Sequence, residues 1–246
     1  MMISDGTLLY LIAHLLGDYY FQNSKLADEK ESALKAVIMH GLYYGLTMML
    51  TSAVLFLFGN DWKLFLTGFA LSALHLAVDL FKFSFNSKNK VKESNSAAIT
   101  YMTDQLTHWV AVFIIIELLY TRRLGLAVSQ PAPREMAKWV LLLLLILKPG
   151  NVTHKKLFHQ YEPKLDDADT QPGAGALIGS LERILCAIFL ALGQYSAIGL
   201  IYTAKSIARF KKISEVQRFA EYYLIGTLYS ILFVLAAYLV IFKFIP

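Results

Sequence analysis

A single cysteine, Cys186, excludes any disulfide within the chain. It sits among Leu185, Ala187 and Ile188, a setting in which a thiol serves as small apolar filler rather than as a nucleophile. Charge is scarce too. Asp, Glu, Lys and Arg supply 17% of the 246 residues, where soluble domains carry about 25%. So few charges do not coat the surface of a water-soluble protein of this length. No HExxH or Walker-type motif is present, and nothing repeats at a fixed period. The basic clusters lack interleaved aromatic side chains, which excludes nucleic acid as an expected partner. A basic leading stretch and a small-residue cleavage site are missing as well, so the first apolar run reads as a retained span rather than a signal peptide.

What fills the chain instead is apolar. Hydrophobic residues reach 57% with a modest net charge of +5, and mean hydropathy is positive. A transmembrane helix needs about 20 mostly apolar residues. Candidate spans lie near Thr7–Phe21, Lys35–Phe58, Lys63–Phe83, Leu106–Leu119, Lys138–Leu147, Leu177–Lys205 and Tyr222–Phe244. The fifth is too short to cross alone; it lengthens upstream toward Arg134 or inserts partially, because Lys148-Pro149-Gly150 is expected to break it. These runs predict an all-α fold, a polytopic transmembrane helix bundle of six or seven spans. Residues 1–246 read as one integral membrane domain, with a four-span half over 1–120 and a two- or three-span half over 121–246. Asn23–Leu34 reads as a short surface helix; Asn86–Ala97 and Lys164–Gly175 read as solvated connections. Lys and Arg are nearly balanced between the two sides, with a slight lean toward a cytoplasmic site.

Against this background three spans carry the same pair. His14 and Asp18 are four residues apart, as are His75 and Asp79, and as are Asp104 and His108 in reverse order. That spacing puts both side chains on one helix face. His40 opens the second span, Gln22 closes the first, and Lys82 extends the His75–Asp79 face by a turn. Following the chain back and forth puts all four groups near the same side of the bilayer.

Charged groups at such depths face the bundle interior, pair with one another or line a cavity. Imidazole with carboxylate suits a divalent metal such as zinc, iron or manganese. The candidate ligands are His14, Asp18, His40, His75, Asp79, Asp104 and His108, with Asp18, His40, Asp79 and His108 as candidate acid/base groups. Lys82 and Arg183 are candidates for holding an anionic head group. Such a metal can activate water for hydrolysis of a lipid or lipid-linked substrate. The same residues without metal can relay protons in an ion-coupled transporter, or act only as interhelical hydrogen-bond staples in a non-catalytic scaffold.

In the C-terminal half, the small residues between Gly173 and Gly179 suit close helix packing ahead of Glu182-Arg183. That pair either completes a polar site or anchors the helix at the interface. Lys205, Arg209, Lys211 and Lys212 are expected on the opposite side of the membrane from it.

His14-Leu15-Leu16-Gly17-Asp18 with Gln22, Lys30, His40 and His75-x-x-x-Asp79-x-x-Lys82 resembles a group of bacterial and phage membrane proteins known as a domain of unknown function. Ile178–Arg183, Ala204–Ile207 and Glu221–Leu228 resemble its longer members. The resemblance implies a multi-pass protein of a bacterial inner (cytoplasmic) membrane, with the lipid bilayer as its main partner, and brings no activity. A looser similarity runs to membrane-bound metal-dependent hydrolases, through intramembrane His and Asp.

Overall fold

In a computed structural model, the residues described are 5–30, 32–89, 94–116, 118, 131–163, 171 and 173–244. Among them there is no strand. The helices are α1 (Asp5–Leu15, continued by a π-helical turn Leu16–Tyr20), α2 (Ser24–Glu29), α3 (Leu34–Gly59), α4 (Lys63–Asn89), α5 (Ser94–Ile115), α6 (Pro131–Ile146), α7 (Lys148–Phe158), α8 (Ala174–Ala191), α9 (Tyr195–Ala208), α10 (Phe210–Glu215) and α11 (Gln217–Leu239). The chain divides after Leu141 into two compact units.

Among the described residues, five stretches are long and apolar enough to cross a membrane: Leu34–Gly59, Lys63–Phe85, Arg134–Tyr161, Ala174–Ala191 and Gln217–Lys243. At 1.5 Å per residue, α3 is about 39 Å long, more than the hydrocarbon thickness of about 30 Å. α1 is shorter than a crossing helix, and α5 is diluted by Thr100, Thr103, Asp104, Gln105 and Thr107. The polar residues that make the N-terminal half chemically interesting are thus what lowers its apolar character.

The first unit is organised around the α3–α4 hairpin. α3 ends on Asn60 in the left-handed conformation (φ 47°), its amide donating to the Phe56 carbonyl at 2.8 Å. The Lys63 amide then donates to Asp61 Oδ1 at 2.9 Å, starting α4 within a few residues. Small residues line the seam between the two helices. A Cβ on Gly41 would lie 2.7 Å from Leu76 Cδ1, and one on Gly68 would lie 3.1 Å from the Met48 carbonyl. Such close approach suits helices in lipid, where packing rather than hydrophobicity drives association. Buried hydroxyls are satisfied along their own helices: Ser52 donates to the Met48 carbonyl at 3.0 Å and Ser72 to that of Gly68 at 2.7 Å. The register set by this seam brings His40 against His75.

Around it, α2 begins at Asn23, whose Oδ1 accepts the Leu26 amide at 2.7 Å, as expected for a short surface helix. The connection expected at Asn86–Ala97 is largely helical, since α4 continues through Asn89 and α5 begins at Ser94. Asn, Ser and Lys cost a helix only tenths of a kcal/mol each, about 0.7 at most. Residues 90–93 and most of Lys164–Gly175 lie outside the described residues.

In the second unit one expectation is refined and another corrected. The break expected at Lys148-Pro149-Gly150 is present, one residue earlier at Leu147, but it does not end the fifth span, which starts upstream at Arg134 and runs on to Tyr161. Leu147 breaks the helix (ψ −96°), and it resumes at once as α7, because Pro149 falls in the first turn, where no amide donor is needed. The sixth run, Leu177–Lys205, is two helices rather than one. It turns at Gly193, whose φ of +67° lies in the left-handed region that glycine tolerates. The doubling back cancels the predicted separation of Lys205 from Glu182: they meet as an ion pair at 2.8 Å.

Candidate metal centre

Four helical segments of the first unit deliver the cluster. The π-helical turn after α1 carries Asp18, α3 carries His40, α4 carries His75 and Asp79, and α5 carries Asp104 and His108. Gly17 permits the approach of that turn to α3, since a Cβ there would lie 3.0 Å from Tyr44 Cδ2. Gln22 then folds back and donates to the Asp18 carbonyl.

The shortest contacts run between helices. His40 Nε2 lies 3.0 Å from His75 Nε2 and 3.3 Å from Asp18 Oδ1. Asp79 is central: its Oδ2 is 3.6 Å from His40 Nε2 and 3.7 Å from His75 Nε2, and its Oδ1 is 3.7 Å from His108 Nε2. The pairs within helices, 3.7 Å for His75–Asp79 and 3.5 Å for His108–Asp104, are looser than the His40 contacts to His75 and Asp18 and comparable with the rest. Each histidine is therefore not simply matched to the aspartate on its own helix. Asp18, His40 and His75 form one group, and His75, Asp79 and His108 a second, with ligand atoms inside each group no more than 4.8 Å apart. His75 belongs to both.

The tautomer of His108 is fixed by its surroundings. Its Nδ1 lies 2.9 Å from the Asp104 backbone carbonyl, which only accepts, so Nδ1 carries the proton. In the neutral ring Nε2 is then a lone pair facing the Asp79 carboxylate, and it has no hydrogen-bond partner among the described residues. Two acceptors held face to face in a buried place are satisfied by a proton shared between them or by a metal cation. Their 3.7 Å separation is close to the spacing of about 3.4 Å between ligands at 2.0–2.2 Å from one tetrahedral metal.

The remaining candidates flank this core. Asp104 pairs with Lys82 at 2.7 Å while backing His108. His14 is outside both groups: its Nδ1 bonds to the Tyr44 hydroxyl at 3.0 Å. Arg183 belongs to the second unit, and its hydrogen bonds go there, to the Ile146 carbonyl at 2.5 Å and to Asn151 Oδ1 at 2.5 Å. It caps a carbonyl freed where α6 breaks. Cys186 is buried, as expected.

Two residues escaped assignment from the sequence. Tyr44 stacks on His75 with ring centroids 3.6 Å apart and planes within 5°, holding that imidazole flat while bonding His14. Its four-residue spacing from His40 was the available signal. Lys30, just after α2, reaches Asp79 Oδ2 at 3.0 Å, and it had been noticed only as part of the family resemblance.

The fold and site thus define an all-helical protein, with helices able to span a membrane, built around buried His/Asp groups that can hold a metal ion. Residues 7–132 match the family described as Protein of unknown function (DUF3307), and the chain belongs to that family. The match takes in every member of the His/Asp cluster. No curated protein and no solved structure matches the chain.

Proposed function

We propose that the protein is a multi-pass protein of a bacterial inner membrane that holds a divalent metal between α1, α3, α4 and α5 and hydrolyses a lipid or lipid-linked substrate. The observation that carries this reading is Asp79, which turns both carboxylate oxygens toward imidazole nitrogens, one of them the lone pair of His108. Asp18, His40, His75, Asp79 and His108 would be the ligands. A bound zinc, iron or manganese ion lowers the pKa of its water so that hydroxide exists near neutral pH. The protein's own part is to fix the ligands and to keep bulk water out, which the burial of all five side chains accomplishes. Asp18 and Asp79 would each offer a carboxylate oxygen to take the proton that such a water gives up.

An apolar groove of about 400 Å³ supports a lipid-like substrate. It is lined by Leu74, Leu106, Thr107, Val110, Ala111 and Ile114.

The test is the metal content of the full chain purified in detergent and re-equilibrated with zinc, iron(II) or manganese. Stoichiometric metal is expected, lost in both His75→Ala and Asp79→Asn. A metal-free wild type, or variants with wild-type content, would defeat the reading. Loaded protein in liposomes of mixed lipids should release water-soluble head groups, and Asp79→Asn protein should not.

A second reading rests on one contact. The 3.0 Å approach of His40 Nε2 to His75 Nε2 is itself a hydrogen bond along which a proton can pass. Proton flux into proteoliposomes, abolished by His40→Ala, would favour a relay over a hydrolase.

A further inference from the structure

Resting on the metal reading, we infer that Lys30 and Lys82 form an anion clamp over the centre and that the group it receives is a phosphate. The argument begins with charge. The core and its flanks hold three carboxylates, Asp18, Asp79 and Asp104, and two ammonium groups, Lys30 and Lys82. With neutral imidazoles this leaves a surplus of one negative charge. One divalent ion turns it into a surplus of one positive charge, and a second ion would raise that further. An uncompensated charge is expensive in a place this buried. A loaded centre therefore favours an anion, which the ion's own hydroxide supplies until an incoming anionic group takes its place.

Position says where the anion goes. The side chains of Asp18, His40, His75, Asp79, Asp104 and His108 are no more than 8% exposed, whereas those of Lys30 and Lys82 are 18% and 32% exposed. An incoming group meets the two lysines first. Each is already directed inward, Lys30 Nζ at 3.0 Å from Asp79 and Lys82 Nζ at 2.7 Å from Asp104. His108 lies between Asp79 and Asp104, its Nε2 3.7 Å from the one carboxylate and its Nδ1 3.5 Å from the other. The lysines thus flank the centre, one from just after α2 and one from α4. When a metal takes the Asp79 carboxylate, Lys30 loses much of its attraction to that oxygen and faces a like charge instead. Its ammonium is then free to hold an oxygen that the ion also attracts.

Chemistry selects phosphate. A carboxylate carries one charge on two oxygens and can satisfy the ion and one lysine. A phosphate ester presents three or four oxygens in a tetrahedron, enough for the ion and both lysines. Lysine serves well as a point charge for such a group. The same chemistry is offered by a phospholipid head group and by free phosphate.

The experiment is calorimetric titration of inorganic phosphate into the full chain in detergent micelles, with and without zinc. Phosphate should bind the zinc-loaded protein and not the metal-free one. The doubly substituted Lys30→Met, Lys82→Met protein should keep its zinc and bind phosphate at least roughly tenfold more weakly, two charge-assisted contacts having been removed. Arginine at both positions, which preserves charge, should restore binding, and this guards against a fold defect in the methionine protein. Zinc uptake without phosphate binding, or phosphate affinity unchanged by the methionine substitutions, overturns the clamp while leaving the metal centre standing. Failure to take up zinc overturns both. Micelles carrying phosphatidic acid should displace phosphate if the natural group is a lipid head group; phosphate binding that phosphatidic acid leaves untouched assigns the clamp to the soluble ion.

Discussion

The two units bury polar groups to opposite ends. In the second, Arg183 is 2% exposed, yet it is spent on backbone: it donates to the Ile146 carbonyl at the end of α6 and adds a long contact to the Leu147 carbonyl, which already accepts the Asn151 amide. Glu182 beside it is matched by Lys205. The side chain of Asn151 completes the arrangement, accepting from Arg183 and donating to Ser180 Oγ at 2.9 Å. Apart from His154 Nε2 in the second unit, the unpartnered buried imidazole nitrogens among the described residues belong to the first unit, whose cluster holds more buried groups than partners. His108 Nε2 faces a carboxylate, the Nδ1 atoms of His40 and His75 have no hydrogen-bond partner among the described residues, and three histidines crowd two aspartates. A satisfied polar network stabilises a fold, whereas a surplus of acceptors points to something that binds.

The strongest way to break this contrast is Arg183→Met. With its charge-assisted bonds to Ile146 and Asn151 lost, the protein should unfold about 3–5 kcal/mol more easily, as read by denaturant titration in mixed micelles, and zinc content should not change. If zinc is lost with it, the division of labour between the units is wrong. Next comes metal addition. Zinc at about a hundredfold over its dissociation constant should stabilise the wild type by about 2.7 kcal/mol, a chelator should reverse this, and Asp79→Asn should show no response in a thermal melt. Gly17→Ala sharpens the comparison without deleting any ligand. Its Cβ would press on Tyr44 Cδ2 and approach the Tyr44 Cα at 3.4 Å, displacing the turn that carries Asp18, at a cost of about 1–3 kcal/mol and with weakened zinc affinity. The smallest effect belongs to Gly193→Ala, about 1 kcal/mol for the left-handed turn alone, with zinc affinity unchanged.

The all-helical architecture and the cluster were legible because two simple rules sufficed. Long apolar runs with few charges predict helices that cross a membrane, and His/Asp pairs four residues apart share a face. What stayed hidden had weaker signatures. Gly193 is a single glycine inside a long apolar run, and only its positive φ reveals that the helix turns back there. Pro149 resembles a stop signal, yet it lies in a first turn, where it is tolerated. Tyr44 looks like one more core aromatic of α3, and its orientation over His75 depends on a neighbouring helix. Lys30 sits in a charge-rich stretch where most side chains are merely solvated. Arg183 carries a charge plain in the sequence, and the break beside Lys148-Pro149-Gly150 was legible too, but that the one caps a carbonyl freed by the other depends on how α8 packs.

The parallel stacking of Tyr44 on His75 has an optical consequence. The phenol ring lies 3.6 Å above an imidazole that belongs to both candidate ligand groups. A cation drawing electron density from that imidazole changes the field felt by the phenol, and the near-ultraviolet absorption of Tyr44 should shift with it. The protein therefore carries its own chromophore at the centre, and difference spectra of wild type against Tyr44→Phe, recorded during zinc titration, would read occupancy without any added dye.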